Sequence, residues 1–303
     1  MQMINSISQF HQLLSLPDPV HPLLSVVHLD KVQFTDAPVW KQFFVDFYTV
    51  SVKRDVKVKV KYGQQYYDFD RGVMSFTAPK QMQSLEVIGT PFKEQVFGKG
   101  YALLIHQDFL GTHPIVSTIK KYGFFSYGIN EALHLSGKEE EDIIDIFKKI
   151  ELESQRIDQH TQNIILAQID LLLNYCNRFY GRQFITRKAV NDDLLMKMEE
   201  QLVRYFENKE SLQTGLPTVE YLANTLNLSP HYLSDMLRSL TGQSAQQHIH
   251  EKLIGKAKEY LATTGLSVAE IAYQLGFEHP QSFNKLFKAK TDSTPLEYRK
   301  SFD

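Results

Sequence analysis

Two rhythms of apolar residues run along this chain, and the change between them falls near residue 136. Before it, apolar positions alternate with polar ones or bunch into short runs. Val56, Val58, Val60 and Tyr62 alternate with Asp55, Lys57, Lys59 and Lys61, the period of two expected of a half-buried strand. Further runs are Phe43-Phe-Val-Asp-Phe-Tyr48, Val73-Met-Ser-Phe76, Leu85-Glu-Val-Ile88 and Tyr101-Ala-Leu-Leu-Ile105. Gly63, Gly72, Pro79, Gly89-Thr-Pro91 and Gly98-Lys-Gly100 punctuate them as turns. Many short strands joined this way predict a small β-barrel or double-sheet roll over about residues 23–130. Tyr62, Tyr66, Tyr67, Phe69 and Phe76 are expected in its core, and the basic run from Lys53 to Lys61 on its wet face. In residues 1–22 only Phe10, Leu13, Leu14 and Leu16 hint at structure, one short helix or arm.

Beyond Ser136 the period is helical. Ser136 is placed to cap a helix whose first turn carries Glu139, Glu140 and Glu141, suited to a positive N-terminal end. Ile143, Ile146, Phe147 and Ile150 form its stripe. A second helix puts Ile165, Ile169, Leu172, Cys176 and Phe179 on one face, and Ile164, Leu166, Leu171 and Leu173 widen it. That stripe is broader than one-sided packing needs, which predicts a homodimer through this helix. The hairpin covers about 137–180. Residues 183–191, with Arg187-Lys188, lack periodicity and are read as a linker. Asp192 and Asp193 are expected to cap the next helix, running to about Glu207. The chain thus divides into 1–182 and 192–303.

The second part contains one pattern written twice. The first copy reads Ala223-Asn-Thr-Leu-Asn-Leu-Ser-Pro-His-Tyr-Leu-Ser-Asp-Met-Leu-Arg238 and the second Ala272-Tyr-Gln-Leu-Gly-Phe-Glu-His-Pro-Gln-Ser-Phe-Asn-Lys-Leu-Phe-Lys288. Ala223, Leu226 and Leu228 recur 49 residues later as Ala272, Leu275 and Phe277. After one inserted residue, Leu233, Leu237, Arg238, Thr241 and Ser244 recur 50 later as Phe283, Phe287, Lys288, Thr291 and Thr294. Each copy has the parts of a helix-turn-helix. Asn227 and Gly276 suit a left-handed turn, and Ser229 with Pro230 marks a helix start. Ser267-x-x-Glu270 is a capping box opening the second copy, and Thr218 caps a helix of the first.

The signature from Ser267-Val-Ala-Glu-Ile-Ala-Tyr-Gln-Leu-Gly-Phe277 through Phe283-Asn-Lys-Leu-Phe-Lys288 to Thr294-Pro-Leu-Glu-Tyr-Arg299 resembles that of AraC/XylS-type transcription regulators. The resemblance covers about the last 110 residues. Upstream, Tyr66-Tyr-Asp-Phe69, Ser75-Phe-Thr-Ala-Pro79, Phe124-Phe-Ser-Tyr127 and Glu131-Ala-Leu-His-Leu-Ser136 resemble the regulatory domain often found ahead of that module. Asp292 departs from the family pattern, which has Gly there, Lys252 stands where Arg is common, and Asp235 where a neutral or basic residue is common. The fold class expected is α+β. A cupin-like N-terminal β-barrel, the fold this resemblance implies, is followed by a helical hairpin. An all-α C-terminal domain then has two helix-turn-helix units joined by a connecting helix over about 246–263.

Along the first reading helix Leu233, Met236, Leu237 and Leu240 share one face, leaving His231, Ser234, Asp235 and Arg238 outside. In the second, Phe283, Leu286 and Phe287 point inward, leaving Gln281, Asn284, Lys285 and Lys288 outside. Gln281 and Asn284 suit adenine, and Lys285 and Arg238 suit guanine. Asp235 either accepts from cytosine N4 or serves as an internal helix partner. Thr218, Lys252 and Ser267 are the expected phosphate contacts. Ile249, Leu253, Ala257, Tyr260 and Leu261 are expected to bury the connecting helix, which spans roughly 25 Å at about 1.5 Å per residue. That length suits two reading helices about one duplex turn apart.

Bulk charge adds little. Net charge is −2, and from Asp192 onward 12 Lys/Arg face 15 Asp/Glu. From Lys252 to Lys300 the balance reverses, with 8 Lys/Arg against 5 Asp/Glu, so a modest phosphate-facing stripe and salt-sensitive binding are expected. The single cysteine, Cys176, excludes an intramolecular disulfide and reads as core. No leader and no long apolar run is evident, so a cytoplasmic protein without a membrane partner is expected. His106, His113 and His134 lack ligand spacing, so no metal, cofactor or catalytic residue is assigned. The partners expected are promoter or operator duplex DNA, a second copy, a small-molecule effector in the barrel, and RNA polymerase. The rival readings are a cupin-type metal-dependent enzyme fused to a DNA-binding tail, and an architectural protein binding DNA without sequence preference.

Overall fold

A computed structural model describes residues 2–33, 38–54, 60–62, 65–66, 72–83, 86–87, 99–128 and 131–301. These fall into two compact units, Met1–Gln183 and Phe184–Asp303. No helix among the described residues is long and apolar enough to cross a membrane.

The first unit contains the strands β1 (Gln2–Ile4), β2 (Leu24–His28), β3 (Phe43–Val45), β4 (Phe47–Arg54), β5 (Val60–Tyr62), β6 (Gln65–Tyr66), β7 (Val73–Thr77), β8 (Glu86–Val87), β9 (Lys99–His106) and β10 (Leu133–His134). Five of them pair antiparallel in the order β10-β7-β4-β9-β2; β6-β5-β8 and the parallel pair β1-β3 make smaller sheets. Among the described residues no closed barrel is formed. The expected alternation over 55–62 and the turns at Gly63, 89–91 and Gly98 lie wholly or largely outside the described residues, as do Leu85, Ile88, Tyr67 and Phe69.

The five-stranded sheet has two chemically different faces. Phe76 and Tyr101 pack against Tyr180 and Phe147, and Met74 Sδ lies 3.8 Å from Cys176 Sγ. These partners sit on α4 (Gly137–Ser154) and α5 (Thr161–Thr186), the expected hairpin. Burial there pushes the Cys176 thiol up, as a core thiol requires. The other face is mixed: Thr49, Ser51 and Lys53 share it with Phe47, Val27 and Leu104 of a second apolar cluster, and Ser51 Oγ lies 2.7 Å from Ser75 Oγ. Lys53 corrects the expected wet face: paired between Val73 and Gly100 inside the sheet, it is buried. The N-terminal arm is a true element. Ser6 caps α1 (Ile7–Leu13), Phe10 meets Trp40 and Phe47 edge-on, and Leu14 is buried beside them. His106 and His113 accept from the backbone N–H of Asp108 and Ile115, their neighbours two residues on. Short helices α2 (Gln107–Leu110) and α3 (Ile115–Ile119) follow β9.

Ser136 caps α4 through a full capping box with Glu139, as its sequence predicts. On α5 the wide stripe splits. Leu166 and Leu173 are buried with Ile165, Ile169 and Leu172, while Ile164 and Leu171 are 41% and 48% exposed.

The second unit is all helical. It comprises α6 (Lys188–Glu207), α7 (Ser211–Thr214), α8 (Val219–Thr225), α9 (Pro230–Thr241), α10 (Ala245–Thr263), α11 (Val268–Gln274), α12 (Pro280–Thr291) and α13 (Pro295–Lys300). Residues 183–191 are helical on both sides of a break at Arg187, and α6 begins at Lys188, ahead of Asp192 and Asp193. Instead of capping, Asp193 pairs with Lys197 at 2.6 Å. The earlier start is fixed by Asn191, which is buried and donates to the Phe184 carbonyl at 2.7 Å.

The duplication is repeated in the backbone. Helices α8 and α11 are both seven residues long, α9 and α12 both twelve with Pro in the first turn. The turns pass through Asn227 at φ 56° and Gly276 at φ 92°, and both reading helices end left-handed, at Gly242 and Asp292. Asp292 at φ 58° occupies a position that favours glycine. Asp292→Gly is expected to raise stability by about 0.5–1 kcal/mol, relieving left-handed strain at a cost in unfolded-state entropy. A urea midpoint unchanged or lowered in that variant would contradict this account.

Candidate nucleic-acid interface

The reading helices α9 and α12 are held by their inner faces. Tyr232, Leu233, Met236 and Leu237 are buried on α9, Phe283 and Phe287 on α12. The two phenylalanines meet edge-on, with ring centroids 5.7 Å apart, and Phe287 continues to Tyr298 of α13. Truncating either ring would cost about 3–5 kcal/mol. Ser229 accepts from Tyr232 N–H to start α9, whereas His279 opens α12 with no side-chain cap, leaving Pro280 to set the start.

With the inner faces spent, the outer residues stand in solvent. His231 and Arg238 are exposed on α9, with Ser234 and Asp235 half-buried; Gln281, Asn284, Lys285 and Lys288 are all exposed on α12. All the base-reading candidates but Ser234 and Asp235 are therefore exposed on the outer faces of their helices. The two faces differ in electrostatics. On α9, Arg238 Nη1 donates to Asp235 Oδ1 at 2.7 Å, one turn away. On α12, Gln281, Asn284 and Lys285 make no side-chain hydrogen bond or ion pair among the described residues, and Lys288 lies near Glu297. Lys290 adds a further exposed cation in the last turn, close enough to His250 to reinforce the lowering of its pKa, which burial begins.

The expected phosphate contacts sit differently. Thr218 and Ser267 are exposed N-caps of α8 and α11, accepting from Tyr221 and Glu270 N–H. The Ser267 hydroxyl and then its backbone hold Glu270 below the usual carboxylate range, a sign of a well-formed cap. Lys252 lies half-buried on α10 in a groove lined also by Glu199, Glu200, Glu251, Lys256 and Glu259.

The 19-residue connecting helix α10 is about 28 Å long at about 1.5 Å per residue. Ile249, Leu253, Ala257 and Leu261 are buried, as expected, with Ala245 and Ile254; Tyr260 is only half-buried, under the Lys256 ammonium. Its C-terminal end is held from α13. Arg299 of α13 donates to the carbonyls of Leu266 at 2.6 Å and Leu261 at 3.3 Å. The second copy is also tied to the segment before the first. Ser211 Oγ donates to Gln274 O at 2.7 Å, and a Cβ at Gly276 would overlap the Gly215 carbonyl.

Comparison with known proteins bears on the same stretch. Residues 222–301 match the family described as helix-turn-helix domain. Over 81 residues the chain is 31% identical to the regulatory protein SoxS of Salmonella typhimurium, spanning 27% of this chain and 76% of that one. It is 33% identical over 93 residues to the raffinose operon transcriptional regulatory protein RafR of Pediococcus pentosaceus, 31% of this chain and 33% of the relative. A solved C-terminal domain of the two-component response regulator yesN from Fusobacterium nucleatum is 37% identical, covering 33% of this chain and 96% of that one, with a TM-score of 0.29. The chain spans about half the length of other curated relatives that it matches.

Proposed function

For a chain that belongs to the AraC-type transcription regulators, we propose regulation of transcription through sequence-specific binding of duplex DNA by α9 and α12. The observation that carries this reading is the duplicated helix-turn-helix, whose turns, left-handed helix ends and buried faces repeat while its outer faces stay polar. His231, Ser234, Arg238, Gln281, Asn284 and Lys285 are the proposed base-facing residues; Lys288, Thr218, Ser267 and Lys252 are proposed at phosphates. The DNA-binding domain is taken as 192–303 after a linker at 183–191, and no catalytic step is assigned to any residue.

Connected by α10, the two reading helices are proposed to enter successive major grooves, about 34 Å apart, on a non-palindromic site. Selection from a random duplex pool followed by footprinting tests this. Two protected segments one helical turn apart per chain are expected. Protection of a single groove, insensitive to substitutions in either reading helix, would exclude the arrangement, and a flat selection would favour architectural binding.

The first unit is proposed as a cupin-like regulatory domain that binds a small-molecule effector and dimerises. The two-faced antiparallel sheet backed by a helical hairpin supports this. Ile164 and Leu171, one face of α5 left exposed seven residues apart, support a second copy as the partner. Ile164→Glu with Leu171→Glu is expected to yield a monomer by sedimentation at micromolar concentration, with weakened operator binding. A wild-type monomer that binds at full affinity would remove the dimer. A cytoplasmic site of action and contact with RNA polymerase complete the proposal.

A further inference from the structure

We infer that Asp235 is a positioning residue: it takes no base itself and aims the Arg238 guanidinium at base edges. The inference rests on the reading of α9 as a base-contacting helix. Arg238 Nη1 lies 2.7 Å from Asp235 Oδ1, and the side chains are 57% and 30% exposed. Side chains on a helix lean toward its N-terminus, and this pair draws the guanidinium the same way, toward the end that opens at Pro230. Arg238 itself stands in the last turn, and the pair carries its guanidinium about one turn back toward the N-terminal residues that meet base edges, exposed His231 among them. The guanidinium presents five donors in a rigid fork. The pair engages Nη1 and leaves the remaining edge for O6 and N7 of a guanine.

Stability gives no reason for the pair, since exposed ion pairs one turn apart add little. A carboxylate on a DNA-facing helix instead opposes binding, because it repels phosphate. The arrangement is useful if it denies a long, flexible cation its easiest partner, the nearest phosphate, and holds it over the groove floor. The second copy lacks the device. Fifty residues on, the places of Asp235 and Arg238 are taken by exposed Lys285 and Lys288, two like charges with no carboxylate beside Lys285 among the described residues. The two helices then differ in how their cations are held: Arg238 on α9 is oriented by a carboxylate, and Lys285 on α12 is not.

The test uses the full chain, with Asp235→Ala, Arg238→Ala and the double variant, in random-pool selection and in affinity measurements across salt concentrations. Thermal unfolding of each variant serves as a folding control. Asp235→Ala is expected to tighten binding to random duplex and to steepen the salt dependence by about 0.9 in log–log slope, one additional phosphate contact. Guanine preference at one position should fall about tenfold, and the double variant should match Arg238→Ala there. If Arg238→Ala keeps every preference, the inference fails because the guanidinium meets no base edge; if His231→Ala and Ser234→Ala keep them too, the reading of α9 fails with it. If Arg238→Ala loses guanine preference but Asp235→Ala retains it with an unchanged salt slope, positioning fails while that reading stands. Loss of a separate cytosine preference in the double variant, beyond that in Arg238→Ala, would make Asp235 a base reader and overturn the inference.

Discussion

Gly276→Ala is expected to cost the helical unit about 2–5 kcal/mol and to leave it largely unfolded at moderate urea. Two effects add. The backbone there sits at φ 92°, a conformation costing an L-residue roughly 1–2 kcal/mol. A Cβ would also overlap the Gly215 carbonyl and lie 3.0 Å from Leu216 N, and these backbone atoms belong to the turn before α8. Overpacking of this kind costs about 1–3 kcal/mol. Asn227 supplies the control. It makes the same turn in the first copy at φ 56°, so Asn227→Ala should cost only about 1 kcal/mol. Urea denaturation followed by helical circular dichroism separates the two. Equal midpoints for both variants would mean that the close approach to Gly215 does not exist.

Lys285→Ala combined with Lys288→Ala should weaken operator binding on the order of a hundredfold at moderate salt. Both cations are exposed on α12, and no carboxylate pairs with Lys285 among the described residues. A base contact is worth about 1–3 kcal/mol, and each phosphate neutralised adds about 0.9 to the salt slope. If Lys285 reads guanine and Lys288 meets phosphate, the double variant loses one base preference and about one unit of slope. Titration of a labelled operator at several salt concentrations reads both quantities. An unchanged affinity and slope would place the DNA elsewhere on the molecule.

What was legible in the sequence is what is local. Ser229-Pro230, the Ser267-x-x-Glu270 box and the turn residues Asn227 and Gly276 each act within four residues, and the helices begin and turn where they stand. Contacts between distant residues left no such mark. Ser211 bonds Gln274 and Arg299 bonds Leu261 and Leu266, over separations that no periodicity reports. Asp192 and Asp193 looked like caps, but burial of Asn191 under the Phe184 carbonyl set an earlier start, a tertiary contact overriding local preference. Lys53 departs from expectation for a related reason: charge suggests solvent, whereas the strand's position inside a five-stranded sheet decides burial. For the reading face, three-residue spacing allowed an Asp235–Arg238 pair. Rotamer choice, which spacing does not encode, selected it.

The meeting of Gly276 with Gly215 has a consequence for inheritance. Although the pattern occurs twice, its halves are not interchangeable cassettes, because the turn of the later copy rests on backbone lying ahead of the earlier one. A hybrid joined within α10 would receive one side of that fit from each parent. It would fold only where both parents bring their chains equally close, so new operator specificities are more accessible by exchanging single outward side chains than by shuffling whole copies.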